Sequence, residues 1–269
     1  MGPPFRVGPQ VLDFGGMKIT FLGTGTSHGI PVIGCECAVC KSTDVRDRRY
    51  RSSIMLEEDG RRIVVDTGYE FRLQMLREDV HSLDAVLYTH SHADHLSGID
   101  DLRVFSQKRN MTIYSNRPTL DYIEKHYSYA FDSHGFPGNP HLSAVALEPL
   151  KEVEIAGFRL TPLPVEHGRV THMPIYGYRF GRFAYITDCT YIPDEVYEAL
   201  RGVEVLAIGG LRKRSHGAHF SFEEAHEAGR RMGADRIYFT HINHETSCAE
   251  IDGLYEDALS AYDGLVLEV

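Results

Sequence analysis

Directly after the apolar run Ala85-Val86-Leu87, the chain places His90, His92, Asp94 and His95 within six positions. Imidazole and carboxylate are donors that zinc, manganese and iron accept. A loop has no periodic face to satisfy, and histidines spaced this closely cannot all turn into one core. The segment therefore reads as part of a metal site and not as a polar turn that happens to be rich in histidine. One loop rarely completes a coordination shell. Further donors are expected at the ends of other strands, the edge where α/β folds usually build their sites.

Short apolar runs recur at 18–22, 53–56, 62–65, 85–88, 112–114, 158–163, 176–180, 183–187, 205–208, 236–240 and 265–269. Several are almost continuously apolar, the pattern of strands covered on both faces. Helical patterns lie between them at 70–78, 96–108, 118–127, 194–201, 221–232 and 249–261. Ser221 with Glu224 predicts a capping box ahead of Phe222, and Pro193 suits a first helical turn. The alternation predicts an α/β fold with sheets sandwiched between helical layers. Residues 131–149 contain Gly135, Pro137, Gly138, Pro140 and Pro149. That stretch is expected to be an irregular lid or binding loop.

A length of 269 residues allows one domain or two. No low-complexity linker follows Gly16, so residues 17–269 are expected to form one domain, with 1–16 a loosely held extension. That extension has no apolar signal-peptide core, and Arg6 stands where myristoylation requires Ser or Thr. No apolar run reaches the length of a membrane span. A cytoplasmic location is expected, where cysteines are more often ligands than disulfides. With 28 basic and 38 acidic side chains, the formal charge is −10. That balance argues against a general nucleic-acid binder, which must neutralise phosphates. Bound cations would offset part of the excess at the site itself.

Four donors stand where a strand-like run gives way to a loop: Asp66, His167, Asp188 and His241. At this point the chain resembles the metallo-β-lactamase fold family. Thr89-His90-Ser91-His92-Ala93-Asp94-His95 matches its H-x-H-x-D-H signature, and His167, Asp188 and His241 follow in the required order. The resemblance covers essentially residues 17–269. It implies a four-layer αββα sandwich with two divalent metal ions at one edge. His90, His92 and His167 would hold the first ion, Asp94, His95 and His241 the second, and Asp188 both. Asp66 would orient a ligand from behind. Two cations ~3.5–4 Å apart can share a water and lower its pKa toward neutrality, giving a bridging hydroxide. The full two-carboxylate set is commoner in the family's phosphodiesterases than in its amide hydrolases.

Cys35, Cys37 and Cys40 form C-x-C-x-x-C. A disulfide would leave one thiol over, whereas structural zinc takes four tetrahedral ligands. His244 is available as the fourth, three residues after His241. Cys189 and Cys248 lack such partners and are expected to be ordinary small side chains. Phe21-Leu22-Gly23-Thr24-Gly25-Thr26-Ser27, the cysteine loop and Thr240-His241-Ile242-Asn243-His244 resemble the branch of cyclic phosphate phosphodiesterases of phosphonate catabolism, which carries such a zinc. In phosphodiesterase branches a histidine upstream of the last ligand serves as general acid; His219 matches best, with His216 second. Histidine titrates near neutrality and suits that task. Catalysis is thus expected to rest on His219, Asp188 and Asp94. Arg212 and Arg214, flanking Lys213, and His216 are candidate substrate-phosphate contacts.

The leading expectation is a hydrolase of a small cyclic phosphate or related phosphodiester, a possible homodimer, with zinc or manganese (iron also fits) in the active site and one structural zinc. Three alternatives compete with it: a transfer-RNA 3′-processing endonuclease, a thioesterase or lactonase of the same fold, and a non-catalytic metal-binding module. No protruding basic arm for gripping folded RNA is evident, and the intact ligand set opposes the non-catalytic reading.

Overall fold

The computed structural model of the chain describes residues 16–107, 109–132, 136 and 138–269. Apart from Gly16, the expected N-terminal extension lies outside them. Among the described residues, two seven-stranded sheets pack face to face. The first contains β1 (Lys18–Gly23), β2 (Ser53–Glu58), β3 (Arg61–Val65), β4 (Ala85–Leu87), β5 (Met111–Ser115) and β6 (Leu142–Ala146). The second contains β7 (Val153–Ile155), β8 (Phe158–His167), β9 (Met173–Phe180), β10 (Phe183–Ile186), β11 (Val205–Gly209), β12 (Arg236–Thr240) and β13 (Ala258–Ser260). β14 (Val266–Glu268) then returns to pair with β1. In each sheet an antiparallel run leads into parallel strands: β3 to β6 in the first, β10 to β13 in the second.

Side-chain alternation with period two explains the layers. Ile19, Phe21, Ile63 and Val65 meet Tyr178, Phe180, Phe183 and Tyr185 between the sheets. Leu22, Val64, Val86 and Ile113 turn the other way, beneath Phe71, Leu120 and Ile123 of the helices Phe71–Arg77 and Arg117–His126. Ala184, Ile186, Leu206 and Phe239 lie beneath the helices Asp194–Ala199 and Phe222–Met232. The architecture is the expected αββα sandwich. The Ser221–Glu224 capping box forms, while Pro193 stands one residue early, as an N-cap. No helix among the described residues is long and apolar enough to cross a membrane.

Three local expectations are corrected. The helix expected over 96–108 breaks into the short turns Ala93–Leu96, Ile99–Leu102 and Arg103–Ser106. Gly98 donates its N–H to Thr67 O (2.8 Å) and sits so close to Gly68 O that a Cβ there would collide. The helix expected over 249–261 stops at Ile251, and Ala258–Ser260 is β13. The Asp252 carboxylate accepts from both Ser260 N and Ser260 Oγ at 2.8 and 2.7 Å, which folds the chain back. Within the expected lid, Leu142–Ala146 is the edge strand β6. His141 and Leu142 lie at the amino ends of β5 and β6, in a groove with Ser106 and Asn110. The metal-binding motif follows the carboxyl end of β4, at the opposite end of these parallel strands from His141 and Leu142.

The turn before β14 also sets the loops near the site. Asp263 accepts from Thr24 Oγ1 (2.8 Å) and Tyr50 N (2.7 Å), and burial pushes its carboxyl up to about 6. A raised carboxylate pKa means that the native state holds the proton more tightly, so stability from this group falls as pH rises from about 4 to 6. At about 1.4 kcal/mol per pH unit, the step from 3.8 to about 6 amounts to roughly 3 kcal/mol. Asp263→Asn removes that dependence. Chemical denaturation of the metal-free proteins is therefore expected to show the variant gaining on wild type by roughly this amount between pH 4 and 7.

Candidate active site

The histidine motif leaves the carboxyl end of β4 with its backbone pinned from both sheets. Tyr88 O accepts from Tyr178 Oη and from Ser115 Oγ, each at 2.7 Å, and Thr89 O accepts from Tyr176 N (3.0 Å). His92 is extended and opens the turn Ala93–Leu96, which places Asp94 at a positive helix end. The other donors arrive where strands stop. His167 ends β8, while Asp66, Asp188 and His241 follow β3, β10 and β12. Asp66, Asp188 and His241 all adopt left-handed φ, at 66°, 56° and 56°. For a residue with a Cβ this costs about 1–2 kcal/mol, and the sharp exit swings each side chain back over the sheet edge.

The result is two groups of donors. His90, His92, His167 and Asp188 form one, and Asp94, His95, Asp188 and His241 the other; within each, the ligating atoms lie within 4.8 Å of one another. Asp188 belongs to both through different oxygens. Its Oδ1 lies 3.0 Å from His241 Nδ1 and 3.4 Å from His95 Nε2, and its Oδ2 lies 3.9 Å from His90 Nε2. Burial opposes its ionisation, but His241 and His95 hold the carboxyl well below the usual range. Burial also pushes His90 down, reinforced by His95, whereas three carboxylates, led by Asp188, lift His95 despite its burial.

Asp66, fully buried, holds two of these rings from behind. His95 Nδ1 donates to its Oδ2 (2.7 Å), and Thr89 Oγ1 donates to the same oxygen (2.8 Å). With its proton committed there, Thr89 Oγ1 accepts from His90 Nδ1 (2.9 Å). Both Nε2 atoms are thereby turned inward, where each offers a lone pair once its ring is neutral. Asp66 thus orients His95 directly and His90 through Thr89, which the sequence reading did not single out. The signal was weak: a threonine before a histidine says little by itself.

The donor set fits divalent cations. His95 Nε2 and His167 Nδ1 are buried without a hydrogen-bond partner, as is His219 Nδ1. An orphaned buried polar atom costs about 1–3 kcal/mol, and a cation held by the two donor groups would supply the missing partner of His95 and His167. His92, exposed, marks the open side.

The cysteine loop makes a second cluster. The Sγ atoms of Cys35, Cys37 and Cys40 stand 3.3, 3.5 and 3.6 Å from His244 Nδ1. A tetrahedron with zinc–sulfur and zinc–nitrogen bonds of ~2.3 and ~2.05 Å has edges of about 3.6 Å, so the spacing fits zinc. The Cys37 thiol is lowered to about 6, chiefly by the Cys40 N–H, and burial pushes Cys40 up to about 11.

The His219 ring stacks 4.8 Å from His241 and lies 4.9 Å from His167, with Nδ1 3.8 Å from Asp188 Oδ2. Burial lowers it to about 3 against the pull of Asp188. His216 stacks on it at 5.3 Å. Arg212 and Arg214, expected as candidate phosphate contacts, both face Glu245. Glu245 takes both guanidinium groups, at 3.3 and 3.0 Å. Arg212 also donates to Arg214 O and Ser215 O (3.3 and 3.2 Å) and so serves as a loop clamp. Cys189 is buried, as expected of a small side chain, whereas Cys248 Sγ lies 3.2 Å from Arg49 Nη2.

Two packed mixed sheets with paired His and Asp donor groups at one edge define an αββα sandwich with a candidate metal site. The chain belongs to the metallo-β-lactamase superfamily: residues 61–242 match the family described as Beta-lactamase superfamily domain. It is similar to the crystal structure of a new diphosphatase from the PhnP family, with 37% identity and a TM-score of 0.86 over 94% of this chain and 98% of that one. It is 36% identical over 253 residues to an octanoyltransferase of Porphyromonas gingivalis, covering 93% of this chain but only 51% of that protein. The chain thus spans about half of that relative's length. It is 27% identical over 231 residues to the exodeoxyribonuclease WalJ of Streptococcus pneumoniae serotype 2, covering 74% and 80% respectively.

Cys37→Ser is expected to lower the zinc content measured by elemental analysis by one equivalent. Its Tm should fall by roughly 5–10 °C, the counterpart of about 2–3 kcal/mol in a chain of this size.

Proposed function

We propose that the chain is a metal-dependent phosphodiesterase acting on a small cyclic phosphate or a related diester. The observation that carries this reading is Asp188, whose two oxygens face two separate donor groups while His219 stands over both. His90, His92 and His167 would hold one divalent cation, Asp94, His95 and His241 the other, and Asp188 would touch both. Zinc, manganese and iron all suit these donors. Such a pair supplies Lewis acidity, lowering the pKa of a water and neutralising charge that develops on phosphoryl oxygens.

The chain's own side chains supply position and proton handling. Asp66 and Thr89 keep His95 and His90 facing inward, so that no rotation is needed when substrate arrives. Asp188 and Asp94 hold negative charge among the imidazoles. His219 is the group placed to give a proton to the leaving oxygen, and an anionic phosphate beside it counters the depression that burial imposes. The similarity to a named diphosphatase supports diphosphate diesters as part of the same substrate class. Octanoyl transfer is not carried over, because the match covers only 51% of that relative. The cysteine cluster favours a reducing, cytoplasmic setting, where thiols persist as ligands.

A second reading, a nuclease, is favoured by the pneumococcal relative's name. A formal charge of −10 and a basic run engaged by Glu245 oppose it.

Metal-loaded protein is expected to hydrolyse cyclic phosphates, bis(p-nitrophenyl) phosphate or diphosphate diesters. Asp188→Ala should reduce turnover on the order of 10³-fold. No hydrolysis of any of these would sink the proposal, and salt-sensitive cleavage of DNA or precursor transfer RNA alone would install the nuclease reading. His219→Ala should cost about 10²–10⁴-fold with an alkoxide leaving group and far less with p-nitrophenolate, which leaves without protonation. Equal losses on both would remove His219 as the proton donor.

A further inference from the structure

We infer that Thr26 is a positioning residue for His241, fixing which ring nitrogen faces the dinuclear site. The inference rests on the metal-centre reading above. Thr26 Oγ1 lies 3.0 Å from His241 Nε2, and both residues are buried. The opposite nitrogen, Nδ1, lies 3.0 Å from Asp188 Oδ1 and is the one turned into the donor group. Ser52 Oγ, whose proton goes to Gly25 O (3.0 Å), turns a lone pair toward the same Nδ1 at 3.3 Å, so Nδ1 is not kept unprotonated by its own neighbours.

A neutral imidazole carries one N–H and one lone pair. When Thr26 accepts from Nε2–H, the lone pair is left on Nδ1, where a cation can take it. With the proton on Nδ1, the ring would present N–H toward a cation and could not ligate. With a cation on Nδ1 the proton sits on Nε2, and Thr26 Oγ1, 3.0 Å away, is the acceptor within its reach.

The backbone keeps the hydroxyl there. Thr26 N donates to Ile242 O (3.1 Å), Ile242 N donates to Thr24 O (2.9 Å), and Gly25 bridges Ile242 in parallel register. The same loop continues to Cys35, Cys37 and Cys40, which meet His244. One loop is therefore fastened to one short segment at two points, by Thr26 on His241 and by the thiols on His244.

Thr26→Val keeps the shape and removes the hydroxyl, and Thr26→Ser keeps the hydroxyl and removes the methyl. In calorimetric titrations of metal-free protein with zinc and with manganese, wild type is expected to take a pair of cations at the dinuclear site. The valine variant should bind the weaker of the two about 10–100-fold less tightly, with kcat on the phosphodiester falling more than KM rises. The serine variant should recover most of that loss. Imidazole ¹⁵N spectra of zinc-loaded wild type should show His241 protonated at Nε2. Wild-type affinity in the valine variant, equal impairment in the serine variant, or a proton on Nδ1 would each overturn the inference. A wild type that takes no pair of cations would overturn the metal reading and the inference with it. Should the valine variant fail to fold, Thr26→Ala compared with Thr26→Ser carries the same test.

Discussion

The carboxylate of Asp188 faces His95 and His241 with one oxygen and His90 and His219 with the other. Buried imidazoles brought this close repel as soon as more than one is protonated, and each must find a partner for two ring nitrogens. A carboxylate among them answers both problems at once. It can do so only if the surrounding strands deliver every ring to within a few ångströms. The sandwich exists to make that delivery rigid: parallel strands end at a common edge, and a core between two sheets fixes their spacing.

The cost appears in the backbone. Asp66, Asp188 and His241 leave their strands in left-handed geometry that side chains other than glycine rarely adopt. Strain of this kind persists only when the surroundings over-determine it. Here they do: Asp66 is held by Thr89 and His95, Asp188 by two ring nitrogens, and His241 by Thr26 and the bridge at Ile242. The residues that pin the rings are hydroxyls and a carboxylate one step back from the donors.

The chemistry of the site was legible because imidazole, thiolate and carboxylate are rare in such density, so His90 to His95 and the cysteine loop stand out against any folding requirement. His167, Asp188 and His241 were legible through their place after apolar strands. Thr26 and Thr89 were not, because a loop threonine has many uses and its partner is far off in sequence or hidden in a turn. The local basic run gave no sign that Glu245, more than thirty positions downstream, pairs with both Arg212 and Arg214. Where the fold departed from expectation, a long-range contact overrode local pattern. Asp252 captures Ser260 and turns a helical sequence into β13, and Gly98 must fit against Gly68. The small, alternating residues of β6 give too little signal beside the glycines and prolines that precede them.

His241 and His244 serve different clusters from one segment whose path is fixed by Ile242 and Asn243 between them. That spacing works as a ruler. Adding or deleting a single residue there would swing one histidine out of its cluster while the other stayed, and no adjustment elsewhere could restore both. Recombination or domain grafting that breaks the chain within 241–244, or that moves this segment without the loop from Thr24 to Cys40, would therefore separate the two clusters even if every donor were retained.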